Sequence, residues 1–227
     1  MTDLVPDLRP HAAGPDPADL VRRALLETTQ RLRAAALALR GDDRRRQQAL
    51  DRWFAGFAAE VRGHLELVEV GVLPRLTVAG AIDEATLDAV AADHTWADHV
   101  LGELGDALGI LSFGLGEPER WVRRLATIAD ELHLALEAIL ARESRRLMPL
   151  LDELLEPTAR RELDRELLRD VTVNRAPFSL SWLCELLDDD ELAFVLGAAA
   201  GASRLTYRSR RRAYRRSAAA AFPDTAG

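Results

Sequence analysis

The sequence predicts an all-α protein, an up-down-up-down four-helix bundle with a C-terminal helical extension. Two observations predict it. Four long segments place apolar residues three and four apart, the repeat of one buried helix face, and no segment shows the two-residue alternation of a strand. Helix-start and helix-stop residues bracket the segments and leave only short loops, as a bundle needs.

The first helix opens at Asp16 and Pro17, because an aspartate accepts an orphan amide hydrogen and proline is tolerated in a first turn. Val21, Leu25, Thr28, Leu32, Ala35 and Leu39 make its stripe, and Gly41 closes it. A second helix begins near Arg44, carries Leu50, Phe54, Phe57, Val61, His64, Val68 and Val72, and is expected to end at Pro74. The third opens around Asp83 and Glu84 and buries Leu87, Val90, His94, Ala97, Leu101, Leu104 and Leu108. The fourth follows the glycine-rich loop 114–116, shows Trp121, Leu125, Ile128, Leu132, Ala135, Ile139 and Glu143, and is expected to stop near Pro149. Shorter apolar runs follow, over 158–168, 178–187 and 189–200, before an arginine-rich end. The expected organisation is a flexible proline-rich arm over 1–15, the bundle over 16–155, the extension over 156–217 and a flexible tail over 218–227.

The chain has 227 residues, 48% hydrophobic and 30% charged, which suffices for one sizeable core and excludes bulk disorder. The longest uncharged stretch, 192–203, falls short of the roughly 18 apolar residues of a membrane span. Asp3, Pro6 and Asp7 stand where a signal peptide would be basic and then apolar, and the single cysteine, Cys184, forms no internal disulfide, so a cytoplasmic location is expected. All 30 basic residues are arginine. Residues 1–203 hold 23 arginines against 36 acids, whereas 204–216 hold seven arginines and no acid. An acidic body excludes general nucleic-acid binding there, since a phosphate backbone needs a positive face.

His64, His94 and Glu143 fall on stripes that are otherwise apolar. A buried polar group without a partner costs about 1–3 kcal/mol, so each of these needs a partner, a place at the stripe's wet edge, or a ligand. Inward histidines and carboxylates on facing helices are how bundles build metal sites.

The segments "GHLELVEVGVLPRL", "ADHTWADHVLGEL" and "ILARESRRLMPLLDELL" resemble the hemerythrin HHE cation-binding family, whose second and fourth helices each carry a His and a Glu four apart shortly before a Leu-Pro. The end "PFSLSWLCELLDDDELAFVLGAAAGASRLTYRSRRRAYRR" resembles the extension of many bacterial members, so the likeness runs from Asp16 to Arg216. It implies a cation site, and the chain departs from it. His64 stands ten residues before Pro74 as the pattern asks, but Val68 occupies the Glu position; Ile139 occupies the His position of the fourth helix, while Glu143 is retained. His94 matches the third-helix His, with Asp98 one turn on, and Arg22 takes the place of the first-helix His.

With Arg22, Val68 and Ile139 as substituted ligand positions, the expectation is a metal-free remnant in which Arg22 pairs with Glu143, assisted by His64 and His94, because a fixed cation repels metal ions. No cofactor is expected. The alternative is one Fe, Mn or Zn ion on His64, His94 and Glu143. The chain shows no nucleophile and base pair and no phosphate loop, so a non-enzymatic binding or sensory module is expected. Glu66 and Glu69 read as solvated, His133 and Glu137 as an exposed pair, and His99 and His11 as bystanders. Cys184 reads as a small buried hydrophobe. Arg204, Arg208, Arg211 and Arg215, with Tyr207 and Tyr214 interleaved, form a basic ridge suited to nucleic acid or another acidic partner; a terminal helix docked on the chain's own acidic body is the favoured reading.

Overall fold

In the computed structural model, which describes residues 15–169, 178–199 and 201–222, the described residues are helical with no strand. The helices are α1 (Pro17–Leu37), α2 (Arg44–Glu66), α3 (Leu73–Val78), α4 (Glu84–Phe113), α5 (Pro118–Arg142), α6 (Met148–Leu154), α7 (Pro157–Arg169), α8 (Ser179–Leu183), α9 (Asp189–Ala198) and α10 (Gly201–Ala221). None of them is long and apolar enough to cross a membrane.

Local chemistry sets the helix starts. The Asp16 carboxyl accepts the Ala18 amide at 2.8 Å, Asp43 accepts that of Arg46 at 3.1 Å, and Asp83 that of Thr86 at 2.9 Å. Asp188 and Glu191 exchange side-chain and backbone bonds in a capping box at the start of α9. Gly114 ends α4 at a φ of 71°, a left-handed conformation open to glycine at little cost.

The two prolines do not end their helices, contrary to expectation. Each lies in the first turn of a further helix, α3 or α6, that continues the preceding one through a π-helical turn, Leu67–Val72 before Pro74 and Glu143–Leu147 before Pro149. Proline has no amide hydrogen and its ring crowds the carbonyl four residues back. Widening the turn relieves that conflict: the Leu73 amide bonds the Val68 carbonyl and the Met148 amide bonds the Glu143 carbonyl, each five residues back.

Helix α4 packs against α5 and α2, and α1 against α5, around one large apolar cluster. A smaller cluster, including Val68, Val72, Leu76, Leu147, Leu151 and Leu163, gathers where α3 meets α6. Between α1 and α2 the extension is inserted. Trp182 is buried against Phe57 and donates its indole N–H to Thr28 at 2.8 Å, and Phe178 and Tyr214 meet edge to face. Helix α10 lies on α2 and α8.

The expected tail over 218–227 is corrected in its first half. Helix α10 runs to Ala221, and Ala218, Ala221 and Phe222 are buried. The run of alanines favours helix, and the Phe222 ring meets Trp53 edge to face at 4.7 Å. The arm over 1–14 and residues 223–227 lie outside the described residues.

Two glycines test this packing. A Cβ on Gly56 would collide with the Phe178 ring, whereas one on Gly102 would meet open space. Gly56→Ala should destabilise by about 1–3 kcal/mol and Gly102→Ala should stabilise by up to about 1 kcal/mol, with opposite shifts of the urea midpoint as the measurement. Equal shifts would show that Phe178 does not hold this place.

Candidate functional site

His64 near the end of α2 and Glu143 at the start of the second π turn are brought together in the interior. His64 Nε2 lies 2.8 Å from Glu143 Oε2, and the two side chains are 5% and 2% exposed. Arg22 of α1, also buried, lines the same small cavity of about 30 Å³ with Val68, Leu67 and Met148. The cavity sits where the large and small apolar clusters meet, closed from the α7 side by Leu163, Leu167 and Arg160. Arg160 reaches Asp16 at 2.9 Å and Asp164 at 3.1 Å, and also bonds Asp152, which ties α7 to the start of α1 and to α6.

The expected Arg22–Glu143 pair is corrected. Arg22 bonds Asp19, one turn earlier on its own helix, and Glu143 bonds His64. The local partner wins because residues three apart on a helix are neighbours whatever the tertiary packing. Arg22 Nε and Glu143 Oε1 are both buried and make no hydrogen bond among the described residues.

His94 is buried on α4 as expected, but it does not join His64 and Glu143. Its Nδ1 lies 2.9 Å from Oε1 of Glu69, whose side chain is half exposed, and its Nε2 makes no hydrogen bond. Glu69 is exposed, in line with the solvated reading, and still reaches α4 through this bond to His94. It sits in the π turn, where rotation per residue is less than the 100° of an α-helix, so a position counted off the stripe comes back toward it. Glu66 is exposed as read.

His133 corrects another expectation: it is buried and bonds Thr29 Oγ1 at 2.9 Å, while Glu137 is exposed. The close pairing of α5 with α1 turns the His133 side of α5 inward. His99 is exposed beside Trp96, and Asp98 pairs on the surface with Arg62 at 2.6 Å. His11 lies outside the described residues.

Sequence reasoning missed Glu60, which is 3% exposed and accepts a hydrogen bond from Ser179. A signal was present. Trp53, Phe57, Glu60 and His64 follow each other at spacings of four, three and four, a second line on the same broad buried face.

The residues present do not fit a di-iron centre. At the positions where the resemblance expects ligands, Val68 and Ile139 are buried hydrocarbon and Arg22 is a buried arginine. Among the described residues, no group of three or more His, Cys, Asp and Glu side chains is arranged to hold a metal ion. The alternative set of His64, His94 and Glu143 is divided between two separate hydrogen-bonded pairs.

At the basic end, Arg211 and Arg215 both bond Glu185, at 2.5 Å and 2.9 Å, and Tyr207 and Tyr214 are buried. This part of the ridge is docked on the chain itself, as favoured. The side chain of Arg204 lies outside the described residues.

Burial pushes the Cys184 thiol up to about 11 from an ordinary 9.0. Between those values the folded chain keeps a proton that the unfolded chain releases. Stability from this group is therefore whole below about pH 9 and falls as pH rises toward about 11. Burial shifts Tyr214 upward too, to about 12, so its contribution is lost at higher pH still. The urea midpoint should drop between about pH 9 and about pH 11, with a smaller drop in Cys184→Ala. A midpoint independent of pH in that interval would show that the thiol is hydrated.

No family model, no curated protein and no solved structure matches the chain.

Proposed function

We propose that the chain is a hemerythrin-like binding or sensory module of the cytoplasm, not an enzyme, in which the cation site has become a metal-free polar remnant. In this reading α1, α2 with α3, α4, and α5 with α6 are the four rods of an up-down-up-down bundle. One observation carries it. The buried His64–Glu143 pair lines one small cavity together with Arg22, where an iron-binding relative would hold its metal.

Three physical features support it. The guanidinium is permanently charged and repels a metal ion at short range, most strongly where water is scarce. The hydrocarbons Val68 and Ile139 donate no electron pair. The two equivalent proline-associated π turns place Val68 and Glu143 at the same distance before Pro74 and Pro149, so the asymmetry between them is one of side-chain chemistry and not of backbone.

The test is metal content after loading with Fe(II), Zn(II) and Mn(II) and removing excess ion. Substoichiometric metal is expected. One equivalent per chain that disappears in His64→Ala would overturn the metal-free reading in favour of a mononuclear centre.

A further inference from the structure

A second concave site lies far along the chain from His64 and Glu143, and the cation-site reading does not use it. A cleft of about 510 Å³ between α9 and α10 is lined by Leu196, Tyr207, Arg208, Arg211, Arg212 and Arg215. Its volume is that of small-molecule pockets, and four of its six lining residues are guanidinium-bearing. Residues 208, 211, 212 and 215 fall on one face of α10, with neighbours at spacings of three (208 and 211, 212 and 215) and four (208 and 212, 211 and 215).

That face is electrostatically unsatisfied. Like charges three and four residues apart on a helix repel. Glu185 relieves Arg211 and Arg215, whereas Arg208 and Arg212 are exposed and have no ion-pair partner among the described residues. The chain is not short of acids, since 37 Asp and Glu outnumber 30 Arg. A charge conflict retained beside a concave surface is where a ligand, not the fold, completes the interaction. Arginine forks match phosphate oxygens in pairs, and Leu196 and Tyr207 give the cleft an apolar wall.

We propose that this cleft binds a phosphate-rich small molecule of nucleotide size, held by Arg208 and Arg212 with Arg211 and Arg215 behind them. Phosphate groups could come from a free polyphosphate compound or from a nucleic-acid backbone. The small molecule is the better fit because the four arginines span only about 10 Å along the helix and Leu196 of α9 bounds one side of the cleft.

The experiment titrates the full chain with ATP, with inorganic tripolyphosphate and with a single-stranded DNA of about 20 nucleotides at near-physiological salt. Saturable one-to-one binding of ATP or tripolyphosphate is expected. Arg208→Gln/Arg212→Gln should weaken it about a hundredfold, roughly tenfold for each charged contact, while Arg62→Gln leaves it unchanged. Because neither substituted arginine holds an ion pair, the double variant should unfold at the same temperature as the parent or slightly above it, which separates lost binding from lost folding. The proposal is overturned if neither phosphate compound binds, if the double variant binds them as well as the parent, or if the oligonucleotide binds more tightly than both.

Discussion

Replacing His64 with leucine should lower the unfolding free energy by about 3–5 kcal/mol, the largest loss expected from any single polar position in this chain. Among the described residues the imidazole is the sole hydrogen-bond partner of the buried Glu143 carboxyl, whose other oxygen makes no hydrogen bond there. Taking the imidazole away strands a polar group among Val68, Leu67 and Met148. In a chain of this length the loss corresponds to a fall of roughly 6–20 °C in Tm. The double variant His64→Leu/Glu143→Leu should recover most of it, because a cavity lined largely by hydrocarbon accepts two apolar groups more readily than one unpaired acid. Urea unfolding of the parent, both single variants and the double variant measures the coupling. A loss below about 1 kcal/mol in His64→Leu would mean that water reaches Glu143, and the dry remnant would have to be abandoned.

Trp182→Ala is the second large effect, about 3–5 kcal/mol. Trp182 is 1% exposed, packs against Phe57 and Phe178, and gives its indole hydrogen to Thr28. Removing the ring empties the space between α1 and α2 and releases α8, on which α10 leans. Trp182→Phe keeps most of the ring and loses only the hydrogen bond, so about 1–2 kcal/mol is expected. Global unfolding by far-ultraviolet circular dichroism should report both. If Trp182→Ala left the midpoint of the long helices unchanged and melted only a separate minor phase, the extension would be an appendage and not part of the core.

The helical stripes were legible because they depend on neighbours three and four residues apart. Leu25, Leu32, Phe57, Val61, Leu101, Leu104, Ile128 and Leu132 are all buried as their spacing indicates. The cap residues Asp16, Asp83 and Gly114 were legible for the same local reason. Part of the site was legible too: polar residues on apolar stripes must find partners, and His64, His94 and Glu143 are indeed buried. Their partners were not. Counting at 100° per residue fails once a π turn intervenes, so the bond from the exposed Glu69 to His94 was not legible. Proline suggested a stop, whereas the wider turn let each helix pass through it.

Reading residues in order was enough to show that the chain is helical, where the main helices begin and which of their faces are buried. Tertiary structure alone decided that His64 meets Glu143, that His94 meets Glu69, that His133 turns inward to Thr29, and that Trp182 is seated between α1 and α2. The physical reason is one of range. Helix formation and capping are settled within a few residues, but a contact between side chains 79 or 104 positions apart depends on the mutual register of whole helices, which packing fixes only when all of them are present.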